Sequence, residues 1–181
     1  PTAYVQVTGI TGTNGKTTIA YQLAQAHSLL GEKTAYIGTI GQGDVGSLKP
    51  LDNTTPDALC LQRLLYQYRE QGFKKACMEV SSHALSQHRV DSIAFRQALF
   101  TNLTLDHLDY HHTMEAYAAA KAQLFMREEL ECAIINSDDR YHQLIQAAVK
   151  PQTRKLTYGI DNPADIRATH WQMDLHGTHI D

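Results

Sequence analysis

The feature that most constrains the fold is a glycine-containing segment near the start of the chain. The run Gly12-Thr13-Asn14-Gly15-Lys16-Thr17-Thr18 lies between an apolar segment, residues 4–10, and a segment with helical periodicity. Backbone N–H groups in such a turn can point toward a phosphate, and the start of the following helix favours negative charge. The common phosphate-loop pattern has a glycine where this chain has Ile10, so the run is a shortened variant. It predicts a binding site for ATP or GTP rather than a turn that only joins two elements.

The last residues of this run are of the types that contact nucleotide phosphates directly. Lys16 follows the second glycine, so its ammonium group can reach the terminal phosphates. The hydroxyl of Thr17 or Thr18 can bind the magnesium ion that accompanies a nucleotide. The sequence therefore predicts that Mg²⁺ binds together with the nucleotide.

The composition argues against nucleic-acid and membrane partners. The 181 residues carry a formal net charge of −3 and no cluster of basic side chains. No apolar run approaches the length of a membrane span, and no signal-peptide pattern opens the chain. The three cysteines lie far apart without metal-ligand spacing, which is typical of reduced thiols in a cytosolic protein. We therefore expect a cytoplasmic protein without nucleic-acid or membrane partners, and we also expect this protein to be a monomer.

Strand-like and helix-like segments alternate along the chain. This alternation predicts an α/β fold in which a mainly parallel sheet is flanked by helices, as in nucleotide-binding domains of the phosphate-loop type. Thr55 and Thr113 are the predicted N-caps of the second and third helices. The full prediction has strands at 4–10, 34–40, 73–80, 93–101, 132–136 and 155–158, helices at 16–30, 55–71, 113–129 and 139–149, a glycine-rich loop at 41–53 and a C-terminal β-hairpin at 168–180 that turns near Gly177.

An acidic residue ends the predicted strand at 73–80. A strand buried in a parallel sheet is apolar throughout, so Glu79 is costly there unless a partner compensates its charge. Ligands of open α/β sheets bind at the carboxyl ends of the strands, where the phosphate loop also lies. Because magnesium prefers carboxylate oxygen, Glu79 is a candidate metal ligand. The alternative is an exposed glutamate at the end of a strand.

Histidines cluster in the segment Asp106-His107-Leu108-Asp109-Tyr110-His111-His112. Two of them are four residues apart and could bind zinc on a helix, but no further histidine or cysteine pair completes such a site. One histidine near the nucleotide could instead contact a metal or a phosphate. Spacing alone does not choose between His107, His111 and His112.

Lys121 lies in an alanine-rich helical segment. A lysine in this setting ordinarily extends its ammonium group from the helix into solvent. Nothing in the composition favours another interpretation.

Seven motifs occur in an order that resembles the central ATPase domain of the Mur ligase family. The resemblance covers residues 5–136 and is far more specific than the phosphate loop alone. Within the family, the pattern is most similar to the members that add the third amino acid of the peptide. The motifs are the run 12–18, Asn53-Thr54-Thr55-Pro56, Met78-Glu79-Val80-Ser81-Ser82-His83, Gln87-His88-Arg89-Val90, Thr101-Asn102-Leu103, Asp106-His107-Leu108-Asp109-Tyr110-His111 and Ala119-Ala120-Lys121.

The resemblance implies an ATP-dependent amide ligase of bacterial cell-wall synthesis. ATP phosphorylates the D-glutamate side-chain carboxylate of UDP-N-acetylmuramoyl-L-alanyl-D-glutamate in such members. The amine of the incoming amino acid then attacks the acyl phosphate to form an amide. Lysine and magnesium act by neutralising charge on the transferring phosphoryl group.

The resemblance also implies residue roles. Lys121 is expected to be carbamylated, since burial favours the neutral amine that adds carbon dioxide, and the product offers anionic oxygen to magnesium. Arg89 is expected to hold the acidic substrate, although a structural salt bridge is an alternative role. The implied sets are Gly12, Thr13, Asn14, Gly15, Lys16, Thr17 and Thr18 for ATP; Thr17, Glu79, His107 and Lys121 for magnesium; Lys16, Glu79, His107 and Lys121 for catalysis; and Asn53, Thr54, Thr55, Ser81, Gln87 and Arg89 for the nucleotide-sugar peptide.

The resemblance implies that residues 1–181 form a central ATP-binding domain, and that the uridine-binding domain and the amino-acid-binding domain of such ligases are absent from this chain. The last elements of the central domain are also expected beyond Asp181, so the chain alone should be inactive. Two other functions remain open. One is a related amide ligase, either another Mur ligase or a folylpolyglutamate synthetase. The other is a nucleotide-binding regulatory module without ligase chemistry.

Overall fold

A computed structural model describes residues 4–175 and 177–181 as an eight-stranded sheet flanked by helices, with a separate two-stranded hairpin. In the large sheet the order is β3-β2-β4-β1-β5-β6-β7-β8. The strands are β1 (Gln6–Thr11), β2 (Thr34–Gly38), β3 (Gly41–Asp44), β4 (Lys75–Glu79), β5 (Phe95–Phe100), β6 (Cys132–Asn136), β7 (Arg154–Gly159), β8 (Ile166–Arg167), β9 (Trp171–Asp174) and β10 (Gly177–Ile180). The helices are α1 (Lys16–Leu29), α2 (Ala58–Glu70), α3 (Ser82–Ser86), α4 (Leu108–His111), α5 (Met114–Ala122) and α6 (His142–Ala148).

The predicted α/β architecture is confirmed, because every pairing in the large sheet except that of β2 with β3 is parallel. In a parallel sheet the carboxyl ends of the strands share one edge. The ends of β1, β4 and β5 are therefore neighbours, since β1 pairs with both of the others. This edge gathers the phosphate loop, Glu79 and the segment after Phe100.

Side chains that alternate along the strands form two cores, one on each face of the sheet. α1 covers one face, where Ile10, Tyr36 and Cys77 pack against Ala20 and Ala24. The other face is covered by α2, α3, α5 and α6 and is much larger. Its members include Val7, Ile37, Leu61, Leu65, Met78, Phe95, Phe100, Phe125, Ile135 and Ile145. No helix among the described residues is both long and apolar enough to cross a membrane.

The start of α2 differs from the prediction. Its N-cap is Asp57, whose carboxylate accepts the N–H of Cys60 at 3.0 Å, and not Thr55. Pro56 keeps the preceding residue out of the helical conformation, so the helix cannot begin there. The hydroxyl of Thr55 donates instead to the carbonyl oxygen of Glu79 at 2.9 Å.

The predicted helix at 113–129 is shorter than expected. Thr113 caps α5 as predicted, but the helix ends at Ala122 and a 3-10 turn covers Gln123–Met126. This turn buries Leu124 and Phe125 completely, so packing decides its geometry. Arg127 is already extended.

Four short elements were not predicted: β3 inside the glycine-rich loop, α3, α4 and β8. Each is five residues or fewer, too short to show a periodicity. The predicted C-terminal hairpin is confirmed by the antiparallel pairing of β9 with β10. His176, in its predicted turn, lies outside the described residues.

Asp138 joins the loops that follow β6 and β7. Its carboxylate accepts three backbone N–H groups, from Ile160 at 2.6 Å, Asn162 at 2.8 Å and Asp161 at 3.1 Å. Burial opposes ionisation of this carboxyl group, but the backbone hydrogen bonds outweigh burial and lower its pKa. These bonds hold together the two loops at the carboxyl ends of β6 and β7.

We predict that Asp138→Ala lowers the free energy of unfolding by about 1 to 2 kcal/mol, because three N–H groups lose a charged acceptor. Urea unfolding at neutral pH measures the change. The control is Asp161→Ala, which removes an exposed carboxylate from the same loop. Equal stabilities of the two variants would contradict the structural role of Asp138.

Candidate functional site

The phosphate-loop run joins β1 to α1 in a conformation that requires its glycines. Gly12 has φ 149°, and a Cβ there would lie 1.8 Å from the Thr101 hydroxyl oxygen. Gly15 has φ 84° and precedes the first residue of α1 without any side-chain cap. No L-amino acid with a side chain fits the first position, because both the backbone angle and the space exclude it.

The segment after β5 holds the phosphate loop in place. The amide of Asn102 accepts the N–H of Asn14 at 2.9 Å and donates to its carbonyl oxygen at 3.2 Å. The Asn102 carbonyl oxygen accepts the N–H of Thr13 at 2.8 Å, and the Thr101 hydroxyl donates to the Asn14 carbonyl at 2.6 Å. The sequence predicted no role for the segment Thr101-Asn102-Leu103. The residues that it contacts lie about 88 positions earlier in the chain, so no local pattern could reveal these contacts.

The first backbone N–H groups of α1 are not used by the bonds that hold the phosphate loop. The N–H groups of Lys16, Thr17 and Thr18 make no hydrogen bond to any described residue. Three adjacent N–H groups at a helix start can bind an anion together. The Lys16 ammonium folds across the same loop and donates to the carbonyl oxygens of Gly12 at 3.0 Å and Thr13 at 2.8 Å. Burial lowers the pKa of Lys16, opposed by the negative charges of Glu79 and Asp106.

The Glu79 carboxylate is only 1% exposed and is surrounded by hydrogen-bond donors. Oε1 accepts the Tyr36 hydroxyl at 2.5 Å and the Thr39 N–H at 2.8 Å. Oε2 accepts the Thr17 hydroxyl at 2.8 Å and the Thr39 hydroxyl at 3.3 Å. Burial and the bond to Glu79 raise the pKa of Tyr36, so its phenol remains a donor. Tyr36 and Thr39 were missed because apolar strand patterns carry no signal for a buried acceptor.

Thr17 and Glu79 fit a magnesium ion by the chemistry of their donor atoms. The hydroxyl of Thr17 and Oε2 of Glu79 touch at the start of α1, and both are the hard oxygen ligands that magnesium prefers. No lysine or arginine forms a salt bridge with Glu79 in the described part of the chain. A buried carboxylate without a cationic partner is suited to binding a cation.

Lys121 is buried, contrary to the interpretation based on its helix alone. It is 1% exposed, its ammonium group donates to the Gly12 carbonyl oxygen at 2.8 Å, and it lies 4.4 Å from the centre of the Tyr117 ring. Tertiary packing places the phosphate loop over this face of α5, which helix periodicity cannot show. Burial and, less strongly, the positive charge of Lys16 lower the pKa of Lys121 to about 7.

The three clustered histidines have different environments. His111 is buried, stacks on Tyr117 and shares a 2.9 Å hydrogen bond with the Ser82 hydroxyl, so it is a packing residue. His107 has its side chain 44% exposed, and its ring lies 4.9 Å from that of His83. His112 is exposed. No three histidine, cysteine, aspartate or glutamate side chains are grouped for metal binding within residues 4–175 and 177–181.

A pocket of about 280 Å³ opens beside Glu79 and brings together most of the predicted substrate residues. His83 also lines it, and this residue was not assigned a role from the sequence. Burial, and next the charge of His107, lower the pKa of His83. The lining residues are Asn53, Thr54, Thr55, Ser81, His83, Arg89 and His107.

Arg89 presents its guanidinium group to this pocket without a carboxylate partner among the described residues. Nη1 donates to the Thr55 carbonyl oxygen at 3.1 Å, and Nη2 donates to the side-chain oxygen of Gln87. Gln87 does not line the pocket, and its side chain contacts the guanidinium group of Arg89. Within residues 4–175 and 177–181, Arg89 does not form the structural salt bridge considered as its alternative role. A half-buried, unpaired guanidinium group favours a carboxylate or phosphate ligand.

We predict that Lys121 makes folding stability rise with pH. Its pKa is about 7 in the folded chain and ordinarily 10.5, so the unfolded chain binds more protons between these values. In bicarbonate-free buffer, urea unfolding from pH 7 to 10 should show a steeper rise for the parent than for Lys121→Met, by at most about 1.4 kcal/mol per pH unit. Lys155→Met, at an exposed position, is the control. The same slope in all three proteins would place the Lys121 ammonium in water.

Comparison with known proteins identifies the family. Residues 10–181 match the family model of the Mur ligase middle domain. The chain is 49% identical over 181 residues to the UDP-N-acetylmuramoyl-L-alanyl-D-glutamate–2,6-diaminopimelate ligase of Chromobacterium violaceum, covering 99% of this chain and 36% of that protein. It is 49% identical over 176 residues to the ligase of the same name from Neisseria meningitidis serogroup B, covering 96% of this chain and 36% of that protein.

One solved structure agrees with this match in sequence and fold, and another agrees in fold alone. A structure of a UDP-N-acetylmuramoyl-L-alanyl-D-glutamate–2,6-diaminopimelate ligase matches 97% of this chain and 36% of its own, with TM-score 0.91 and 39% identity. MurF from Acinetobacter baumannii shares the fold at TM-score 0.71 and 19% identity, over 99% of this chain and 38% of that one. The chain thus spans about a third of the length of these relatives. The resemblance inferred from the motifs is confirmed: the chain belongs to the Mur ligase family and carries its middle domain.

Proposed function

We propose that the chain is the ATP-binding domain of a ligase that adds the third amino acid to UDP-N-acetylmuramoyl-L-alanyl-D-glutamate. The observation that carries this proposal is the adjacency of a phosphate loop, a buried carboxylate and a polar pocket containing an unpaired arginine. The two ligases at 49% identity are named for 2,6-diaminopimelate, and we propose the same amino acid here. The regulatory-module alternative gives no reason for a polar pocket whose Thr54 is connected through the Thr39 hydroxyl to Glu79.

Nucleotide binding begins at the start of α1 in this proposal. The N–H groups of Lys16, Thr17 and Thr18 would bind phosphate oxygens of ATP, and the Lys16 ammonium would leave the loop carbonyls for the terminal phosphates. Thr17 and Glu79 would hold one magnesium ion through hydroxyl and carboxylate oxygens, with Glu79, His107 and Lys121 serving a second. Magnesium, when bound, supplies charge neutralisation on the phosphoryl group.

Lys121 would serve this site as a carbamate. A neutral lysine amine adds carbon dioxide and releases one proton, which converts a cationic side chain into an anionic oxygen ligand. Two observations support the modification: the burial of Lys121 and its pKa of about 7. The position beside Gly12 places such a carbamate next to the phosphate loop.

The pocket would bind the peptide end of the nucleotide-sugar substrate. Arg89, oriented by Gln87, would pair with a substrate carboxylate or phosphate, and Asn53, Thr54, Thr55 and Ser81 would supply polar contacts. The D-glutamate carboxylate would attack the terminal phosphorus of ATP, forming an acyl phosphate and releasing ADP. The incoming amine would then attack the acyl carbon, expel phosphate and lose a proton to give the amide.

The complete protein would contain more than this domain. The ligase relatives are nearly three times as long as the matched region, so we propose that the uridine-binding and amino-acid-binding domains lie in other parts of the complete protein. We further propose that this protein is cytoplasmic and monomeric, and that its partners are small molecules rather than nucleic acids or membranes.

We predict that Lys16→Ala abolishes binding of Mg-ATP, because the terminal phosphates lose their cationic partner. Calorimetric titration of the complete protein measures the affinity. Lys155→Ala, an exposed lysine on β7, should leave it unchanged. Normal affinity in the Lys16 variant would overturn the phosphate-loop assignment.

We predict that Arg89→Lys in the complete protein raises the KM for the UDP-muramoyl dipeptide about tenfold or more, with little effect on the KM for ATP. A lysine cannot reproduce the paired hydrogen bonds of a guanidinium group. Phosphate release in the presence of 2,6-diaminopimelate gives both constants, and Arg63→Lys on the exposed side of α2 is the control. Equal rises in both constants would exclude a specific substrate contact.

A further inference from the structure

The Tyr36 hydroxyl is a component of the site that neither the motifs nor the family match assigns. Tyr36 lies on β2, is fully buried, and packs in the core between the sheet and α1. The ring of Tyr21 meets it edge-on, with the ring centres 5.9 Å apart. This packing fixes the direction of the phenol, whose hydroxyl donates to Oε1 of Glu79 at 2.5 Å.

Space for this contact exists because residue 38 is glycine. A Cβ at Gly38 would lie 2.1 Å from Oε1 of Glu79 and 2.3 Å from the Tyr36 hydroxyl oxygen. Both distances are far below van der Waals contact. The phenol and the carboxylate therefore meet in a space that the backbone of β2 leaves open.

The two oxygens of Glu79 are held by different kinds of donors. Oε1 accepts the buried Tyr36 phenol and the backbone N–H of Thr39, two donors that the fold fixes in position. Among the described residues, Oε2 accepts only the hydroxyls of Thr17 and Thr39, which can rotate about their C–O bonds. A carboxylate oxygen accepts about two hydrogen bonds. Oε1 therefore has its full number, and both of its donors are held in place by the fold. Of the two carboxylate oxygens, Oε2 is the one that can exchange its hydrogen bonds for a contact with a cation, because its hydroxyl donors can rotate away.

We propose that Tyr36 keeps Oε1 of Glu79 from joining Oε2 on the metal ion beside Thr17 and thereby makes this site selective for magnesium over calcium. A second ion served by Glu79 would share Oε2. This inference rests on the proposed function, which places a metal ion at Thr17 and Glu79. Magnesium takes six ligands in near-octahedral geometry, whereas calcium takes six to eight and often binds both oxygens of one carboxylate. Blocking one oxygen removes the coordination mode that favours calcium. Tyr36 is a positioning residue, since it acts through Glu79.

The test compares Tyr36→Phe with Tyr21→Phe in the complete protein. Both variants lose one phenol hydroxyl from the same core, but the Tyr21 hydroxyl donates to the Val45 carbonyl oxygen at 3.3 Å and not to Glu79. Magnesium or calcium is titrated by calorimetry into protein saturated with ADP. Thermal unfolding checks that each variant is folded, and Tyr36→Met provides a second variant without the hydroxyl.

We expect Tyr36→Phe to weaken magnesium binding about tenfold, as for other residues that orient a metal ligand, and to shift the magnesium-to-calcium affinity ratio toward calcium. Tyr21→Phe should leave both affinities within about twofold, since it does not touch a ligand. Unchanged affinities, or equal losses for both ions, would overturn the role of Tyr36 in selectivity. If the parent saturated with ADP binds neither cation, the metal site of the proposed function fails, and this inference fails with it.

Discussion

The buried carboxylate of Glu79 is the group on which the architecture of the site depends. A carboxylate withdrawn from water must recover its hydration through hydrogen bonds, or folding becomes unfavourable. Three elements meet that requirement: β2 supplies the Tyr36 hydroxyl, the residue following β2 supplies the Thr39 N–H, and α1 supplies the Thr17 hydroxyl. The need to satisfy one acid therefore fixes how the phosphate loop, β2 and β4 are placed relative to one another.

A second set of bonds, between the phosphate loop and the segment after β5, makes the loop rigid. The side-chain amide of Asn102 accepts the N–H of Asn14 and donates to its carbonyl oxygen. It thus satisfies both backbone groups of Asn14, as a neighbouring strand would, although neither residue is in a strand. A rigid loop keeps the N–H groups at the start of α1 directed outward, so little ordering is needed when an anion binds. Lys121 contributes from α5 by donating to Gly12, which connects a third element to the same loop.

Much of the fold could be predicted from the sequence because the long elements carry strong periodic patterns. β6 has the predicted bounds, Cys132–Asn136, and α1 begins at Lys16 as expected. The short elements could not be predicted, since β3 and α3 depend on a neighbouring strand or on packing against α5 rather than on their own residues. The start of α2 was misplaced because Asp57 competes better than Thr55 for the cap once Pro56 excludes the helical conformation.

The chemical groups of the site could be read from local patterns in the sequence: a glycine-bearing loop ending in Lys16 and Thr17, an acid at the end of a strand, and an arginine that follows a hydroxyl-rich segment. These are local patterns, and a backbone conformation or a strand end is a local property. Which of these groups lie together depends on the packing of the folded chain. The burial of Lys121, the packing role of His111 and the hydrogen bond from Tyr36 to Glu79 all arise between residues distant in the chain. Burial and hydrogen-bond direction are set by the packed fold, so no pattern of neighbouring residues could reveal them.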